Sequence, residues 1–90
     1  MSEQRFDSKE MRQFIGMKVR DIRIEKGLTH EKVAEDAGLN EKSISRIEKG
    51  ETDIKTSTLF KLGKGLGLTN PSYILEDAIK YLYSKEKNDN

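Results

Sequence analysis

The sequence has no cysteine, one histidine and one proline. Without cysteine it has neither a disulfide framework nor a thiolate metal site, which fits a reducing compartment, so we expect a cytoplasmic protein. No apolar run is long enough for a membrane span or a signal peptide, and we expect no membrane partner. The sequence also has no Gly-rich phosphate loop and no His/Asp/Glu grouping at metal-ligand spacing. We therefore expect no enzyme, no catalytic residue, no metal and no other cofactor.

A basic excess is also missing, since the net charge is +1 although 37% of the 90 residues are charged. Residues 31–53 contain four Lys/Arg against seven Asp/Glu, a balance of −3, whereas residues 54–68 contain three lysines and no acid. Any nucleic acid would therefore be held by selected residues and not by whole-chain attraction. Only 33% of the residues are hydrophobic, which indicates one small domain that further burial in a dimer would stabilise.

Apolar residues recur at helical spacing along the whole chain, and no alternating strand pattern interrupts them. The fold class is therefore predicted to be all-α. Capping residues and glycines set the expected boundaries, with Thr29, Asn40 and Asn70 as N-caps. The five predicted helices cover residues 8–26, 30–38, 41–50, 56–66 and 71–83.

Two local features qualify this scheme. Before the first helix, Asp7 and Glu10 can form a capping box, and Phe6 can pack against Met11. In the fourth helix, the glycines at 63 and 65 cost about 0.5–1 kcal/mol each relative to alanine. Such interior glycines indicate either close packing or a soft helix.

Residues 29–50, THEKVAEDAGLNEKSISRIEKG, carry a pattern typical of two helices that cross at a fixed angle. Small Ala34 lies where the second helix crosses closely, and Gly38 lies where the chain turns sharply. Five apolar residues are expected to face inward: Val33, Ala37, Leu39, Ile44 and Ile47. The residues left outward on the second helix are Glu41, Lys42, Ser43, Ser45, Arg46 and Lys49. This layout is typical of a helix that lies in the major groove of DNA.

With these residues, the segment Ile15–Leu68 resembles the Cro and phage-repressor type of helix-turn-helix regulators, the xenobiotic-response-element group. The resemblance runs without gaps through IGMKVRDIRIEKGLTHEKVAEDAGLNEKSISRIEKG and on to TLFKLGKGLG. It implies a five-helix, lambda-repressor-like domain. The expected parts are an N-terminal arm (residues 1–7), a DNA-binding domain (8–68), a C-terminal helix for dimerisation (69–84) and a polar tail (85–90).

The resemblance also implies roles for individual residues. Arg23 and Glu48 match a pair that, in the family, bridges the first helix to the recognition helix; the alternative is two separate solvated charges. His30 replaces the usual glutamine at the start of the second helix, where the family meets phosphate, so the alternatives are a phosphate contact and an exposed histidine. The expected DNA-binding residues are His30, Glu41, Lys42, Ser43, Ser45, Arg46 and Lys49.

Side-chain chemistry supports part of this set. Arg46 can make a bidentate contact with guanine, and Lys42 can donate to guanine acceptors. Glu41 can accept from the cytosine amino group, but it equally suits the first turn of any helix, where the dipole favours an anion. Ser43 matches a phosphate-contacting position, and the acidic Glu51 and Asp53 weaken the case for phosphate contact in the loop after this helix.

Assembly is predicted from the apolar surface of the fifth helix, and function from the resemblance. The fifth helix carries an apolar stripe that is predicted to form a homodimer interface; the alternative is that the stripe covers the core of its own monomer. The expected interface residues are Ile74, Leu75, Ala78, Ile79 and Leu82. The leading function is a sequence-specific regulator, a repressor that binds a two-half-site operator on double-stranded DNA. The alternatives are an antitoxin that neutralises a toxin partner and regulates its own operon, and a domain that has lost DNA binding.

Overall fold

The computed structural model describes the backbone of residues 8–88 and the side chains of residues 8–84. All regular structure in that range is helical, so the predicted all-α class is confirmed there. The expected arm, with Phe6 and the Asp7 cap, lies outside the described residues. The elements are α1 (Ser8–Glu25), α2 (His30–Ala37), α3 (Glu41–Glu48), α4 (Thr56–Gly65), a 3-10 turn (Pro71–Leu75) and α5 (Glu76–Asn88).

Local hydrogen bonds explain where α2 and α3 begin and how they are joined. Thr29 Oγ1 accepts from the Lys32 amide at 3.0 Å, and Asn40 Oδ1 accepts from the Ser43 amide at 2.8 Å. Each cap satisfies an amide that the first helical turn leaves without a partner. Between the helices, Gly38 has φ 73°, a conformation that glycine adopts without the steric cost of a side chain. The chain therefore turns within three residues.

Each helix contributes apolar residues to one central core. Helix α1 lies against α3 on one side and against α5 on the other, while α2 packs on both α3 and α4. Ile44 and Leu62 are among the fully covered side chains at the centre. The buried core consists of Ile15, Val19, Ile22, Val33, Ala34, Ile44, Ile47, Leu62, Leu66, Ile74 and Ala78.

The two interior glycines of α4 allow close packing, the first of the two interpretations that the sequence left open. A Cβ at Gly63 would lie 2.8 Å from Cβ of Pro71, and a Cβ at Gly65 would lie 2.7 Å from the carbonyl oxygen of Val33. The 3-10 turn therefore approaches α4 on one side and α2 approaches it on another. Glycine lowers the helix propensity of α4 at these two positions, but any larger residue would push the neighbouring elements away.

The fifth helix differs from its prediction at both ends. Asn70 caps it as expected, accepting from the Ser72 amide at 3.0 Å, but the first five residues form a 3-10 turn and the α-helix starts at Glu76. The helix then continues to Asn88, five residues beyond the predicted end, so most of the expected polar tail is helical. Lys85, Glu86 and Lys87 are good helix formers, and neither glycine nor proline follows Tyr83 to stop the helix.

Candidate nucleic-acid interface

Helix α3 is held against the protein along one face only. Ile44 and Ile47 are buried in the core. At its C-terminal end the backbone of α3 lies directly on Gly16 of α1, where an added Cβ would overlap the carbonyl oxygen of Ile47 and lie 2.8 Å from that of Glu48. This contact was not foreseen in the sequence. The close approach of the two backbones leaves the opposite face of α3 free of contact with the core.

The outward face of α3 carries most of the residues that were expected to bind DNA. The Arg46 side chain is 63% exposed, and its Nε lies 4.0 Å from Oε1 of Glu51, at the limit of an ion pair. Ser43 and Ser45 are half-buried, so they allow a close approach to the helix. Glu41, Lys42, Arg46 and Lys49 are exposed. The face therefore presents cations and small polar groups together, as readout of a DNA groove requires.

Arg23 and Glu48 form the ion pair that the resemblance implied, and the alternative of two separate charges is wrong. Arg23 Nε donates to Glu48 Oε2 at 2.6 Å, and Arg23 Nη2 donates to Glu48 Oε1 at 3.1 Å. The guanidinium also donates from Nη1 to the carbonyl oxygen of Leu28 at 3.0 Å. The Glu48 side chain is 6% exposed and that of Arg23 is 14% exposed. A bidentate, largely buried pair of this kind fixes the direction of α3 relative to α1.

His30 lies beside this pair and is not simply exposed. Its Nε2 is 3.0 Å from Glu48 Oε1, and its side chain is 35% exposed. The interpretation as a merely exposed histidine is therefore wrong, while a phosphate contact stays a prediction. Burial opposes ionisation of Glu48, but hydrogen bonds from Arg23 and His30 outweigh it, so that the pKa of Glu48 is lowered from its ordinary value. We call Arg23, Glu48 and His30 the clamp, because they join α1, α3 and α2.

A second arginine of α1, missed in the sequence, holds the loop after α3. Arg12 Nε donates to the carbonyl oxygen of Gly50 at 3.2 Å, and Arg12 Nη1 lies 3.4 Å from Asp53 Oδ1. Asp53 is thus paired, which reduces the local acidity that weighed against phosphate contact. The available signal was periodicity, because Arg12, Gly16 and Arg23 are spaced by four and seven residues and lie on one face of α1.

The expected dimer interface needs a partial correction. Ile74, Ala78 and Leu82 are buried in the monomer's own core at 0%, 4% and 9% exposure, so they leave little surface for a partner. Leu75 is half-buried, and Ile79 is 46% exposed. For Ile74, Ala78 and Leu82 the structure agrees with the alternative interpretation, in which the stripe covers the core of its own monomer. The physical reason is that α1 packs against both the 3-10 turn and α5 and so covers this stripe.

Other kinds of site find no support within the part of the chain that the structure describes. No group of three histidine, aspartate or glutamate side chains there is placed to hold a metal ion. Among the described helices, none has the length and apolar character needed to cross a membrane.

Comparison with known proteins agrees with the geometry of α2 and α3. The family named Helix-turn-helix, HTH_3, matches residues 19–74. The HTH-type transcriptional regulator y4dJ of Sinorhizobium fredii is 33% identical over 61 residues, which make up 68% of this chain and 79% of that protein. The family match covers α2, the turn, α3 and α4, together with the C-terminal part of α1.

Solved structures give the same result for the fold. The restriction-modification controller protein C.AhdI from Aeromonas hydrophila superposes with a TM-score of 0.67 at 25% identity, over 70% of this chain and 94% of that one. The wild-type restriction-modification controller protein C.Esp1396I superposes with a TM-score of 0.69 at 27% identity, over 82% and 95%. With the exposed face of α3 and the Arg23–Glu48 pair, these matches show that the chain belongs to the HTH_3 helix-turn-helix family and is a DNA-binding transcriptional regulator of the Cro and phage-repressor type.

Proposed function

We propose that this regulator is a cytoplasmic repressor that binds a two-half-site operator as a homodimer, with α3 in the major groove. One observation carries the proposal: α3 turns Lys42 and Arg46 outward while Glu48, on its opposite side, is anchored in the clamp. A recognition helix needs both properties, since a base contact discriminates only when its side chain is presented in a fixed register. Repression would follow from occupancy, because a dimer over a promoter excludes polymerase.

Base contacts are assigned by exposure and chemistry. Arg46 would bind guanine through two hydrogen bonds, and Lys42 would donate to an adjacent guanine acceptor. Glu41 would accept from a cytosine amino group at the edge of this surface. Phosphates would be bound by Ser43 and Lys49, and half-buried Ser45 would leave room for the groove. Because residues 31–53 carry a balance of −3, we expect affinity to depend on these contacts and less on overall attraction.

The proposed dimer interface moves to the residues of the C-terminal segment that stay accessible. Leu75, Ile79 and Tyr83 recur every four residues, and Ile79 and Tyr83 are 46% and 66% exposed. They lie on a different edge of the segment from Asp77 and Tyr81, which contact α1. A two-fold axis at this edge would give two recognition helices, whose half-sites lie about 34–36 Å apart along DNA.

Selection of bound DNA from a random pool, followed by footprinting, tests the DNA-binding part. We expect an inverted repeat with two protected half-sites, and we expect transcription in vitro to fall when that repeat overlaps a promoter. A single site without symmetry would contradict the dimer, and a rise in transcription would contradict repression. If no sequence were enriched, the chain would have lost DNA binding, and the antitoxin alternative would then be tested by copurification with a toxin.

Sedimentation tests the assembly directly. The double variant Ile79→Lys, Tyr83→Lys should be a folded monomer with weak operator binding, because two buried charges would oppose the interface. Ser84→Lys, which adds a charge at an exposed neighbouring position of α5, is the matched control and should remain dimeric. A wild-type monomer at micromolar concentration, or a double variant that still dimerises, would contradict this interface.

A further inference from the structure

The clamp contains one member that the ion pair itself does not need. Arg23 already gives Glu48 two hydrogen bonds, yet the His30 ring from α2 adds a third at 3.0 Å. Through this bond the first turn of α2 is joined to the last turn of α3, while Arg23 joins α3 to α1. Three helices therefore meet at a single carboxylate, next to the surface that presents Arg46.

The chemistry of Glu48 determines which nitrogen of His30 can change its protonation. An ionised carboxylate only accepts hydrogen bonds, and the pKa of Glu48 is lowered, so Nε2 of His30 must carry a hydrogen in either state of the ring. The second proton is therefore gained at Nδ1. Protonation leaves the bond to Glu48 in place and converts it from a neutral donor into a charge-assisted one, which is shorter and stronger.

We infer that His30 is a proton-linked positioning residue, which holds the recognition helix through Glu48 and takes up a proton when the protein binds DNA. The inference rests on the proposed function, because it needs α3 in the major groove. In that arrangement the first helix of the motif crosses the phosphate backbone, so the start of α2 lies in a strongly negative field. A charged ring at that point is favoured by DNA, and by linkage the charged ring favours DNA to the same extent.

The charges around the ring determine the size of the effect. Glu48 of α3 faces the ring and favours its charged form, whereas Arg23 of α1 neutralises part of that carboxylate. On α2 itself, the start of the helix dipole disfavours a cation at this position. The phosphates of bound DNA add a favourable influence that acts only in the complex. Operator affinity should therefore fall as the pH rises through the ordinary histidine range, about pH 6.5.

Measurement of operator affinity against pH tests the inference, and His30→Gln is the decisive variant. Glutamine is neutral at every pH and can still donate to Glu48, so it keeps the bond and removes the proton. We expect the affinity of the wild type relative to H30Q to be at least about threefold higher near pH 5.5 than near pH 8, with H30Q close to the wild type at high pH. His30→Ala should bind more weakly throughout, because the donor itself is lost. Any other titrating group contributes equally to all three proteins.

The single histidine also permits a test without DNA. Its ring gives one set of NMR signals, and at high pH these should report the tautomer with hydrogen on Nε2. The opposite tautomer would overturn the inference by itself. Normal operator binding with the same pH profile in the wild type and H30Q would overturn the coupling and leave the proposed function intact. Absence of specific binding at every pH would overturn both.

Discussion

Helix α1 supports α3 on one side and α5 on the other, by different physical means. Toward α3, Gly16 lets the backbones touch, and Glu48 is held by Arg23 at 2.6 and 3.1 Å with 6% of its side chain exposed. Toward α5, the rings of Phe14 and Tyr81 stack with centroids 4.5 Å apart. Beside the stacked rings, Lys18 lies 3.4 Å from an Asp77 side chain that is 47% exposed.

We call these contacts of α1 the α3 junction and the α5 junction, and they differ in how precisely each holds its helix. A buried bidentate pair works in one geometry only, since a small shift leaves a charge without its partner, whereas stacked rings and an ion pair whose carboxylate is half-exposed tolerate movement. At the α5 junction, burial lowers the pKa of Lys18, but Asp77 and Tyr73 outweigh it and the pKa is raised. The helix proposed to face DNA is therefore fixed in angle, and the helix proposed to face a second copy is held more adaptably.

The largest effect should come from breaking the α3 junction with Glu48→Ala. Removal of one partner strands the charge of Arg23, and we expect a loss of about 3 kcal/mol in stability together with weakened operator binding. Because the pKa of Glu48 is lowered, its contribution to folding stability is fully present above the ordinary value of 4.5 and is lost as the pH falls through the lowered pKa. The Glu48→Ala variant should therefore lack this loss of stability at low pH. A double-mutant cycle with Arg23→Ala should show strong coupling, and additive unfolding energies would contradict the clamp.

The glycine contact provides a second way to disturb α3 without changing any charge. In Gly16→Ala the new methyl group meets the carbonyl oxygens of Ile47 and Glu48. We expect a net loss of about 1–3 kcal/mol in chemical denaturation, despite the gain in helix propensity. Met17→Ala is the control, because its side chain is 56% exposed on the same helix and should cost little. Equal stability of the two variants would show that α3 can move away without cost.

Arg46→Ala tests the outward face of α3 without changing the residues that anchor the helix. We expect a loss of about 1–3 kcal/mol in operator affinity with an unchanged melting temperature, because the side chain is exposed and lies away from the core. Fluorescence anisotropy with the selected operator measures the first quantity and thermal unfolding the second. Lys80→Ala, an exposed cation on α5, is the matched control. Wild-type affinity in the Arg46 variant would remove this residue from the DNA-binding surface.

The smallest effect is expected at the α5 junction. Tyr81→Phe keeps the ring stacked on Phe14 but removes the hydroxyl that donates to Glu10 at 2.7 Å. We expect a loss of about 0.5–1.5 kcal/mol in stability and no change in operator affinity. A large loss of DNA binding would mean that the two sides of α1 are coupled, and the contrast between the junctions would then fail.

Local signals in the sequence predicted most of the fold. Thr29 and Asn40 begin helices as their side chains indicate, and Gly38 turns the chain where a left-handed conformation is needed. These features depend on neighbours within a few residues, so the local sequence contains all the necessary information. The exposed face of α3 follows in the same way, because the spacing of Ile44 and Ile47 leaves Lys42 and Arg46 outward. The Arg23–Glu48 pair was found by resemblance, which supplies a contact that periodicity alone does not contain.

The sequence by itself therefore determined the all-helical class, the caps at Thr29, Asn40 and Asn70, the helix-turn-helix and its outward residues. The tertiary structure decided which distant residues meet: His30 with Glu48, Arg12 with the loop after α3, and Gly16 with the backbone of α3. It also decided that Ile74, Ala78 and Leu82 lie inside the monomer. The physical reason is that helical periodicity defines a face of a helix but not the element that covers it. That choice depends on how closely two helices approach and at what angle they cross, which side chains far apart in the chain determine together.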